Sequence, residues 1–554
     1  MEIILETKIC THCQAPFDIT DRDLAFYDKI SPTFWGKKYS IPTPTLCPDC
    51  RAQRRLAFRN ERKLYKRKCD ITGKEIISMY HPQSEYKVCD RHVWRSDQWD
   101  PMKYGRVFDP SQSFFAQFEK LWKEVPNVSL YNVNTTNSEY TNHCLNEKNC
   151  YMIFGSYENE DCLYGEWMGR CKDCMDLLRW TYLDACYECV DTKSSYKIFR
   201  WQKCNDCSES YFLYNCSNCH HCFGCVNLVN QSYCIENIPY TKEEYLAKLA
   251  TYDLQNYEWI QDYKHKFAQM VKTSIHKFAD FIHCEEVTGD NLESVKNSFY
   301  CFDMKDARDC KYCTHVMEMN DVYDAYGAGA KASLIYEIVD TGLDESRVAF
   351  TIVVYQSTNA YYSVNCHGCH NIFGCIGLRN KEYCILNKQY TKEAYEELVP
   401  QIIQKMRAPS SAGKTDGERW EFFHQSMSPF GYNESITNDH FPDTRENLSK
   451  KGFKRCDYEA PFPKTDVDNV IICEVTGKPF RLIRQELEFY HKYHLPLPRK
   501  HPDQRHLERT KLRNPKKLRD RTCNNCWITI KTSYSPDRPE KVYCEQCYNH
   551  EVYW

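Results

Sequence analysis

Two sets of four cysteines have the spacing of metal ligands in this 554-residue chain. The first set is Cys10, Cys13, Cys47 and Cys50, and the second set is Cys523, Cys526, Cys544 and Cys547. Each set consists of two CxxC pairs, and four thiolates in that pattern are the usual ligands of a structural zinc ribbon. The sequence therefore predicts a zinc-binding protein with at least two zinc ions.

The stretch from Cys47 to Cys69 occurs twice, since it aligns without a gap on His501 to Cys523. Residues 51–68 carry nine Arg/Lys against one acid, and residues 499–521 carry ten against three. Such a density of like charge repels itself unless an anion lies alongside. The pattern predicts a face that binds nucleic acid or a ribonucleoprotein, and a solvated charged face is the alternative. The predicted nucleic-acid-binding residues are Arg51, Arg54, Arg55, Arg59, Arg62, Lys66, Arg505, Arg509, Arg513, Lys516 and Lys517.

Each copy of the basic stretch is expected to form two short helices. Pro515 stands where Glu61 does in the first copy, and proline suits the first position of a helix. Asn60 or Asn514 would then cap the second helix.

The remaining two ribbons have incomplete ligand sets. Cys69, Thr72, Cys89 and His92 stand at the four ligand positions of one, so Cys69, Cys89 and His92 are a possible metal site. The other keeps Cys473 but has Thr476, His501 and Gln504, which predicts a ribbon without metal.

The first ribbon resembles a known family. Its pattern of CxxCxxxFxxT, a later FY, a Pro and CxxCR is similar to the family described as a probable zinc-ribbon domain. This resemblance implies four zinc ligands and no activity. Over its whole length the chain is similar to uncharacterised cysteine-rich zinc-ribbon proteins of candidate-phylum bacteria, which implies an architecture and no mechanism.

A second duplication fills the middle of the chain, where YTKE at residues 240–243 recurs at residues 390–393. In the first half of this duplication, cysteines recur at a nearly constant spacing, at Cys171, Cys186, Cys204, Cys219 and Cys234. Short aromatic or β-branched runs lie between them. Short strands at a small, nearly constant period predict a solenoid whose coils stack their cysteines, with one cysteine pair in each coil.

The middle cysteines allow two interpretations. Cys186 and Cys189 of the first half become Ala325 and Ala328 in the second, as expected for buried packing positions. The paired losses also fit deletion of whole metal sites, so a zinc-knuckle array remains open. The possible metal ligands are the pairs kept in both halves, Cys171, Cys174, Cys216, Cys219, Cys310, Cys313, Cys366 and Cys369.

These patterns predict a multidomain, mainly β chain, in which duplicated tandem zinc-ribbon modules at both ends flank a duplicated Cys-rich β-solenoid-like middle with helical spacers. The predicted boundaries are a tandem module at 1–95, a connector at 96–128, repeat halves at 129–246 and 280–398 around a helical spacer at 247–279, a helix end, linker and irregular segment at 399–468, and a tandem module at 469–554. The clearest linker is residues 408–417. The first residues form no signal peptide, so a cytoplasmic protein without membrane contact is expected.

Three functions follow from these features. The first is binding of nucleic acid or a ribonucleoprotein through the basic helices, mainly by electrostatics, because no base-reading motif is present. The second is a protein-interaction scaffold built on the solenoid. The third is a metal or thiol redox enzyme, which the sequence disfavours because it contains no Gly-rich phosphate loop, HExxH or GxSxG motif.

Overall fold

The computed structural model describes residues 2–407, 420–461 and 469–553. The predicted linker at 408–417 lies outside the described residues. No helix within the described ranges combines the length and the apolar composition needed to cross a membrane.

Short strands and helices alternate in the N-terminal part of the chain and give way to a long series of strands. Before residue 130 the elements are β1 (Ile4–Ile9), β2 (Pro16–Thr20), α1 (Asp21–Ile30), β3 (Thr33–Phe34), β4 (Lys37–Lys38), α2 (Pro48–Leu56), β5 (Tyr65–Lys68), β6 (Glu75–Ser78), β7 (Val88–Cys89), α3 (Arg91–Arg95), α4 (Phe114–Glu124) and β8 (Asn127–Val128). From residue 130 to residue 278 they are β9 (Asn132–Val133), β10 (Cys144–Leu145), β11 (Glu166–Gly169), β12 (Leu178–Gln202), β13 (Ser208–Tyr214), β14 (Phe223–Val226), β15 (Cys234–Ile235), β16 (Ile238–Pro239), α5 (Lys242–Leu249), α6 (Tyr257–Thr273) and β17 (Ile275–Lys277).

The second half of the middle and the C-terminal module follow. From residue 279 to residue 461 the elements are β18 (Phe281–Ile282), β19 (Glu285–Lys311), β20 (Thr314–Val316), β21 (Met319–Ala328), β22 (Ala332–Gly342), β23 (Ser346–Tyr355), β24 (Thr358–Tyr361), β25 (His370–Phe373), β26 (Glu382–Ile385), β27 (Lys388–Gln389), α7 (Lys392–Arg407), α8 (Thr437–His440) and α9 (Arg445–Lys450). From residue 469 they are β28 (Val470–Ile472), β29 (Pro479–Arg481), α10 (Arg484–Lys492), α11 (Pro502–Lys511), β30 (Arg519–Thr522), β31 (Thr529–Thr532), β32 (Lys541–Tyr543) and α12 (Glu545–Tyr553). Short 3-10 helices span Pro101–Tyr104, Gln425–Met427 and Tyr432–Glu434.

The chain forms two compact units, each built from segments that are distant in sequence. The first unit contains Met1–Ser129, Ala279–Tyr458 and Lys516–Leu518, and the second contains Leu130–Phe278, Glu459–Pro515 and Arg519–Trp554. The first unit therefore combines the N-terminal ribbon module with the second half of the cysteine-rich middle. The second unit combines the first half of that middle with most of the C-terminal module.

Each half of the middle is a parallel β-solenoid in which most turns advance the chain by 12 residues. In the second unit, β12 pairs with β13 so that Tyr196 lies beside Ser208, and β13 pairs with β14 so that Tyr211 lies beside Phe223. In the first unit, β19 and β21 keep the same step, whereas the turn from β21 to β22 is one residue longer and places Met319 beside Ala332. This step aligns equivalent side chains of successive turns into columns.

A corner with positive φ at every third residue gives the solenoid its cross-section. Asp173, Asp176 and Arg179 have φ angles of 52°, 59° and 68°, and this pattern continues along both halves. Four sides of three residues therefore make one regular turn. The residue after most corners is buried, as Cys174 and Leu177 are, and we call it the inward position. Asn and Asp occupy many corners because they tolerate positive φ better than other non-glycine residues.

The predicted fold class is confirmed, whereas the predicted length of the coil is wrong. The interval from Cys171 to Cys186 is five steps of the three-residue period and the interval from Cys186 to Cys204 is six, so neither is a single coil. A CxxC pair in the solenoid places its cysteines at two successive inward positions, as in Cys171 and Cys174, which are both buried.

The second short helix expected after each basic helix does not form. After α2 ends, Asn60 makes a turn in which its side chain accepts from Lys63 N (3.0 Å) and donates to Met79 O (2.7 Å), and β5 follows. After α11 the chain continues into β30. Within the helical spacer, residues 250–256 separate α5 from α6, and Thr241 caps α5 through a capping box with Glu244.

Candidate metal centres and the contacts of the basic helices

The first complete ribbon brings its four predicted ligands together. The sulfur atoms of Cys10, Cys13, Cys47 and Cys50 lie within 4.8 Å of one another. Cys13 Sγ and Cys47 Sγ are 3.6 Å apart, far beyond a disulfide bond, and all four cysteines are free. Four sulfurs around one ion at metal–sulfur distances of about 2.3 Å would be separated by about 3.8 Å. The cluster therefore has the dimensions of a four-thiolate metal site.

The last complete ribbon has the same geometry. The sulfur atoms of Cys523, Cys526, Cys544 and Cys547 also lie within 4.8 Å of one another. Cys526 Sγ and Cys544 Sγ are 3.6 Å apart. Both predicted four-cysteine groups can thus hold a metal ion.

All four ribbons share one knuckle conformation, whether or not their ligand set is complete. In the first ribbon Cys10 N donates to Ala15 O (2.9 Å), and Gln14, with φ of 59°, donates back to Cys10 O (3.0 Å). The same two hydrogen bonds close the turns that begin at Cys69, Cys473 and Cys523. The fourth residue of the turn is Cys13 or Cys526 in the complete ribbons and Thr72 or Thr476 in the others. The knuckle backbone therefore does not depend on the second cysteine.

The incomplete ribbons do not gather three ligands. Cys69 and Cys89 are buried, and Cys69 Sγ accepts from Thr72 N and Asp90 N, both at 3.4 Å. His92 is exposed, and its Nε2 lies 3.3 Å from Arg91 Nε. Within the described part of the chain, the possible site at Cys69, Cys89 and His92 is therefore not assembled as a cluster of three ligands.

The thiols within each complete cluster differ in pKa. Hydrogen bonds from Cys47 and Cys50 lower the pKa of Cys10, and the bond to Cys10 raises the pKa of Cys47 to about 12. In the last ribbon, burial opposes ionisation of Cys523, but the backbone N–H groups of Cys526 and Cys544 lower its pKa to about 6. Each cluster thus holds one thiolate readily, and a cation would displace the protons of the others.

The middle cysteines form a packed ladder. Cys174 Sγ lies 3.0 Å from Lys172 O, and Cys216 Sγ lies 3.4 Å from Tyr214 O. Contacts of this kind suit protonated thiols, which behave as small hydrophobic groups and weak donors. The eight possible ligands of this ladder are all buried, and none belongs to a cluster of three metal-ligating groups among the described residues: Cys171, Cys174, Cys216, Cys219, Cys310, Cys313, Cys366 and Cys369.

The arginines of α2 are buried against carboxylates of the solenoid in the first unit. Arg51 Nε and Arg55 Nη1 donate to the two oxygens of Asp324 at 2.9 and 3.0 Å. Arg54 Nη2 donates to both oxygens of Glu337 at 2.8 and 2.9 Å. Burial alone would lower the pKa of Arg51, but Asp324 raises it well above its ordinary value, so the pair stays charged.

The arginines of α11 make the corresponding contacts in the second unit. Arg505 Nη1 donates to Asp176 Oδ2 at 2.6 Å, and Arg509 Nη1 forms an ion pair with Asp176 Oδ1 at 2.9 Å. Arg505 Nη2 also donates to Glu486 Oε1 at 3.0 Å. Arg505 lies 4.7 Å from the ring centre of Tyr164, as Arg51 lies 5.2 Å from that of Tyr312. Both copies of the basic helix are therefore bound to the solenoid in the same way.

Most of the other predicted nucleic-acid-binding residues are also paired within the protein. Arg59 is buried and lies 3.0 Å from Asp340, and Arg513 lies 3.0 Å from Asp191. Lys516 lies 3.3 Å from Asp303, and Lys517 lies 2.6 Å from Asp49. Arg62 is half-buried, and Lys66 is exposed on β5.

The expectation for the buried arginines is therefore corrected. The anion beside Arg51, Arg54, Arg55, Arg59, Arg505 and Arg509 is the protein's own carboxylates, and a nucleic-acid phosphate has no access to these side chains. The sequence interpretation missed the acidic partners, which lie at positive-φ corners of the solenoid: Asp176, Asp191, Asp324, Glu337 and Asp340. One signal was available, since residues 129–246 carry sixteen Asp/Glu against nine Arg/Lys.

No family model matches the chain, and no curated protein matches it. The resemblance of the first ribbon to the probable zinc-ribbon family therefore stays a prediction.

Proposed function

We propose that this protein is a zinc-stabilised scaffold that binds other proteins through the outer face of its β-solenoid. The observation that carries the proposal is the docking of α2 and α11 on solenoid carboxylates, once in each unit. Since these arginines are engaged within the protein, the ribbon modules act as clamps on the solenoid. Solenoids commonly use their extended, repeating faces to bind partners.

Zinc is the metal that best suits the two four-cysteine groups. Four thiolates in a tetrahedron select zinc or an iron–sulfur centre, and the ribbon fold is typical of zinc. Four protein ligands leave no open position for a substrate, so the role of the metal is structural. Each such site contributes roughly 10 kcal/mol of apparent binding free energy to the folded state.

Exposed aromatic side chains on β12 are the part of the solenoid that we assign to partner binding. Tyr182 and Tyr196 are 54% and 43% exposed. Tyrosine is enriched at protein interfaces because it offers a large contact area at a small entropic cost.

The test is recovery of protein partners by the full-length chain from a nuclease-treated extract of its own cells. We expect a defined set of partners that the double variant Tyr182→Ala/Tyr196→Ala loses. The matched control is Tyr553→Ala, which removes another exposed tyrosine, 55% exposed, outside the solenoid. Equal recovery by the double variant and the control would contradict the proposed surface, and recovery that occurs only from an extract without nuclease would favour nucleic acid.

Binding of nucleic acid is the competing proposal, and the described contacts lend it little support because the buried arginines cannot reach phosphates. Direct titration with RNA and DNA tests it. If binding occurs, electrostatics predict that affinity falls by orders of magnitude between about 50 and 200 mM salt.

A further inference from the structure

A third group of metal-ligating side chains lies in the first unit, away from both four-cysteine groups. His81, Glu434 and Cys456 each place one ligand atom within 4.8 Å of the others. They come from three separate segments: the chain after β6, the 3-10 helix Tyr432–Glu434, and the extended segment that follows α9. The sequence patterns indicated no function for residues 418–468.

Backbone contacts hold two of these side chains in place. Cys456 N donates to Asn433 Oδ1, and Asn433 Nδ2 donates to Cys456 O, both at 2.9 Å. A methyl group at Gly431 would lie 2.2 Å from Cys456 N, so only glycine permits this approach. Glu434 is fixed in turn, because Gly431 N donates to its Oε2 at 2.7 Å. The positions of the thiol and the carboxylate are thus set by the fold.

Aromatic rings orient His81, and its Nδ1 has no hydrogen-bond partner within the described residues. The His81 ring stacks on Tyr458 with ring centres 5.7 Å apart, and it meets the Tyr65 ring edge-on with ring centres 6.2 Å apart. His81 Nδ1 is shielded from solvent and has no hydrogen-bond partner within the described residues. A buried ring nitrogen without a partner is costly unless it binds something.

The buried carboxylate of Glu434 favours binding of a cation at the same place. Its side chain is buried, and it accepts from Tyr65 OH at 2.8 Å, yet no lysine or arginine of the described chain forms an ion pair with it. Burying an unpaired carboxylate is unfavourable. A divalent cation bound by one carboxylate, one thiolate and one neutral imidazole would be electrically neutral.

We propose that His81, Glu434 and Cys456 form a third metal site, which binds a zinc-class divalent cation through one nitrogen, one oxygen and one sulfur. Mixed ligands of this kind suit borderline cations such as Zn²⁺ and Co²⁺. Three protein ligands leave one tetrahedral position for water or an incoming ligand. The metal here is therefore exchangeable, whereas the four-cysteine groups hold theirs in closed tetrahedra.

Cobalt titration of the full-length, zinc-loaded protein tests this site. The protein is first dialysed against a weak chelator to a measured content of two zinc ions per chain, so that the two four-cysteine groups are filled and the third site is empty. We then expect added Co²⁺ to produce a saturable thiolate-to-cobalt charge-transfer absorption that corresponds to one ion per chain. Absence of a saturable absorption in the zinc-loaded protein would overturn the proposal without touching the assignment of the other two sites.

Variants identify the ligands. Cys456→Ser should abolish the cobalt absorption, and His81→Gln should weaken cobalt binding by at least tenfold, while both keep the far-ultraviolet circular dichroism of the parent protein. The control is Cys284→Ser, which removes another half-buried cysteine outside the three clusters and should leave the titration unchanged. Full cobalt binding by both Cys456→Ser and His81→Gln would overturn the assignment. If either variant fails to fold, the titration of the parent protein decides.

Discussion

Helices α2 and α11 are copies of one sequence, and they dock alike but differ in their metal ligands. Each binds an aspartate at a solenoid corner through two arginines one helical turn apart, Arg51 and Arg55 to Asp324 in one unit and Arg505 and Arg509 to Asp176 in the other. Only α2 carries cysteines at its start. The arginine contacts therefore form with or without a metal site at the same helix.

A histidine stands at the start of α11 where α2 has a cysteine. Cys47 precedes α2 without capping it through its side chain, whereas His501 Nδ1 accepts from Asp503 N at 3.1 Å and caps α11. A cap contributes about 1 kcal/mol, much less than a zinc site. Among the described residues at these two helices, a four-cysteine group that can hold a metal ion is therefore present only at α2, while arginines secure both helices to the solenoid.

Breaking the four-cysteine group of the first ribbon should have the largest effect. Cys50→Ser breaks the four-thiolate set, and we expect loss of one zinc per chain and of much of the roughly 10 kcal/mol that the site contributes. Gln504→Ser, at the equivalent position of α11, should change neither zinc content nor thermal stability. Elemental analysis and thermal unfolding measure both. Retention of all zinc by Cys50→Ser would contradict the assignment.

Removing one corner aspartate should rank second. Asp324→Asn leaves Arg51 and Arg55 buried without their full counter-charge, which costs about 3–5 kcal/mol of unfolding free energy. Asp176→Asn should cost a similar amount. Asp321→Asn is the control, since Asp321 is also a corner residue but pairs with the exposed Lys29, a contact worth about 0–1 kcal/mol. Equal losses of unfolding free energy for Asp324→Asn and Asp321→Asn, measured by denaturant unfolding, would contradict the conclusion that the buried arginine contacts of Asp324 stabilise the protein.

The third prediction concerns Glu147, a buried carboxylate at an inward position. Its contribution to the free energy of unfolding should depend on pH. Burial raises the pKa of Glu147 to about 7 from 4.5, so the folded state favours its protonated form. This contribution is complete below pH 4.5 and is lost as pH rises through 7. The difference of about 2.5 units corresponds to about 3 kcal/mol. As pH rises from about 4 to about 8, the unfolding free energy of Glu147→Gln should therefore increase by about 3 kcal/mol relative to that of the parent protein. Denaturant unfolding at several pH values measures this difference. A difference that does not change with pH would contradict the inward placement of Glu147.

Exposed basic residues should matter least. Lys66 has a side chain that is 64% exposed, and its nearest carboxylate, Glu75, lies 3.8 Å away. Lys66→Ala should change the unfolding free energy by less than about 1 kcal/mol. A larger loss would mean that charge on this surface, and not burial against the solenoid, stabilises the basic segments.

Sequence spacing was sufficient to predict the two four-cysteine groups, because a CxxC pair confines its ligands within a local turn. The solenoid was also predictable as a class, but the length of its turn was not. Inward positions recur every third residue, so cysteines such as Cys171 and Cys186 report only a multiple of three. The corner conformation, which carries no strict sequence signature, determines how many sides make one turn.

The same short period obscured the correspondence between the two halves. Cysteine pairs place Cys162 opposite Cys301, a difference of 139 positions, whereas the docked arginines make Tyr164 equivalent to Tyr312, a difference of 148. The two registers therefore differ by three sides of the solenoid. Partners of the arginines are set by tertiary packing, and spacing alone could not select them.

A double-mutant cycle between Arg51 and Asp324 tests most directly whether the carboxylates of the solenoid hold the basic helix. The unfolding free energies of Arg51→Met, Asp324→Leu and the double variant are compared with that of the parent protein. If the solenoid carboxylates hold the basic helix, the coupling energy is about 1.5–3 kcal/mol, because each single change leaves a buried charge with one partner fewer. Additive effects, with a coupling below about 0.5 kcal/mol, would contradict the conclusion that the basic helix is held by the carboxylates of the solenoid.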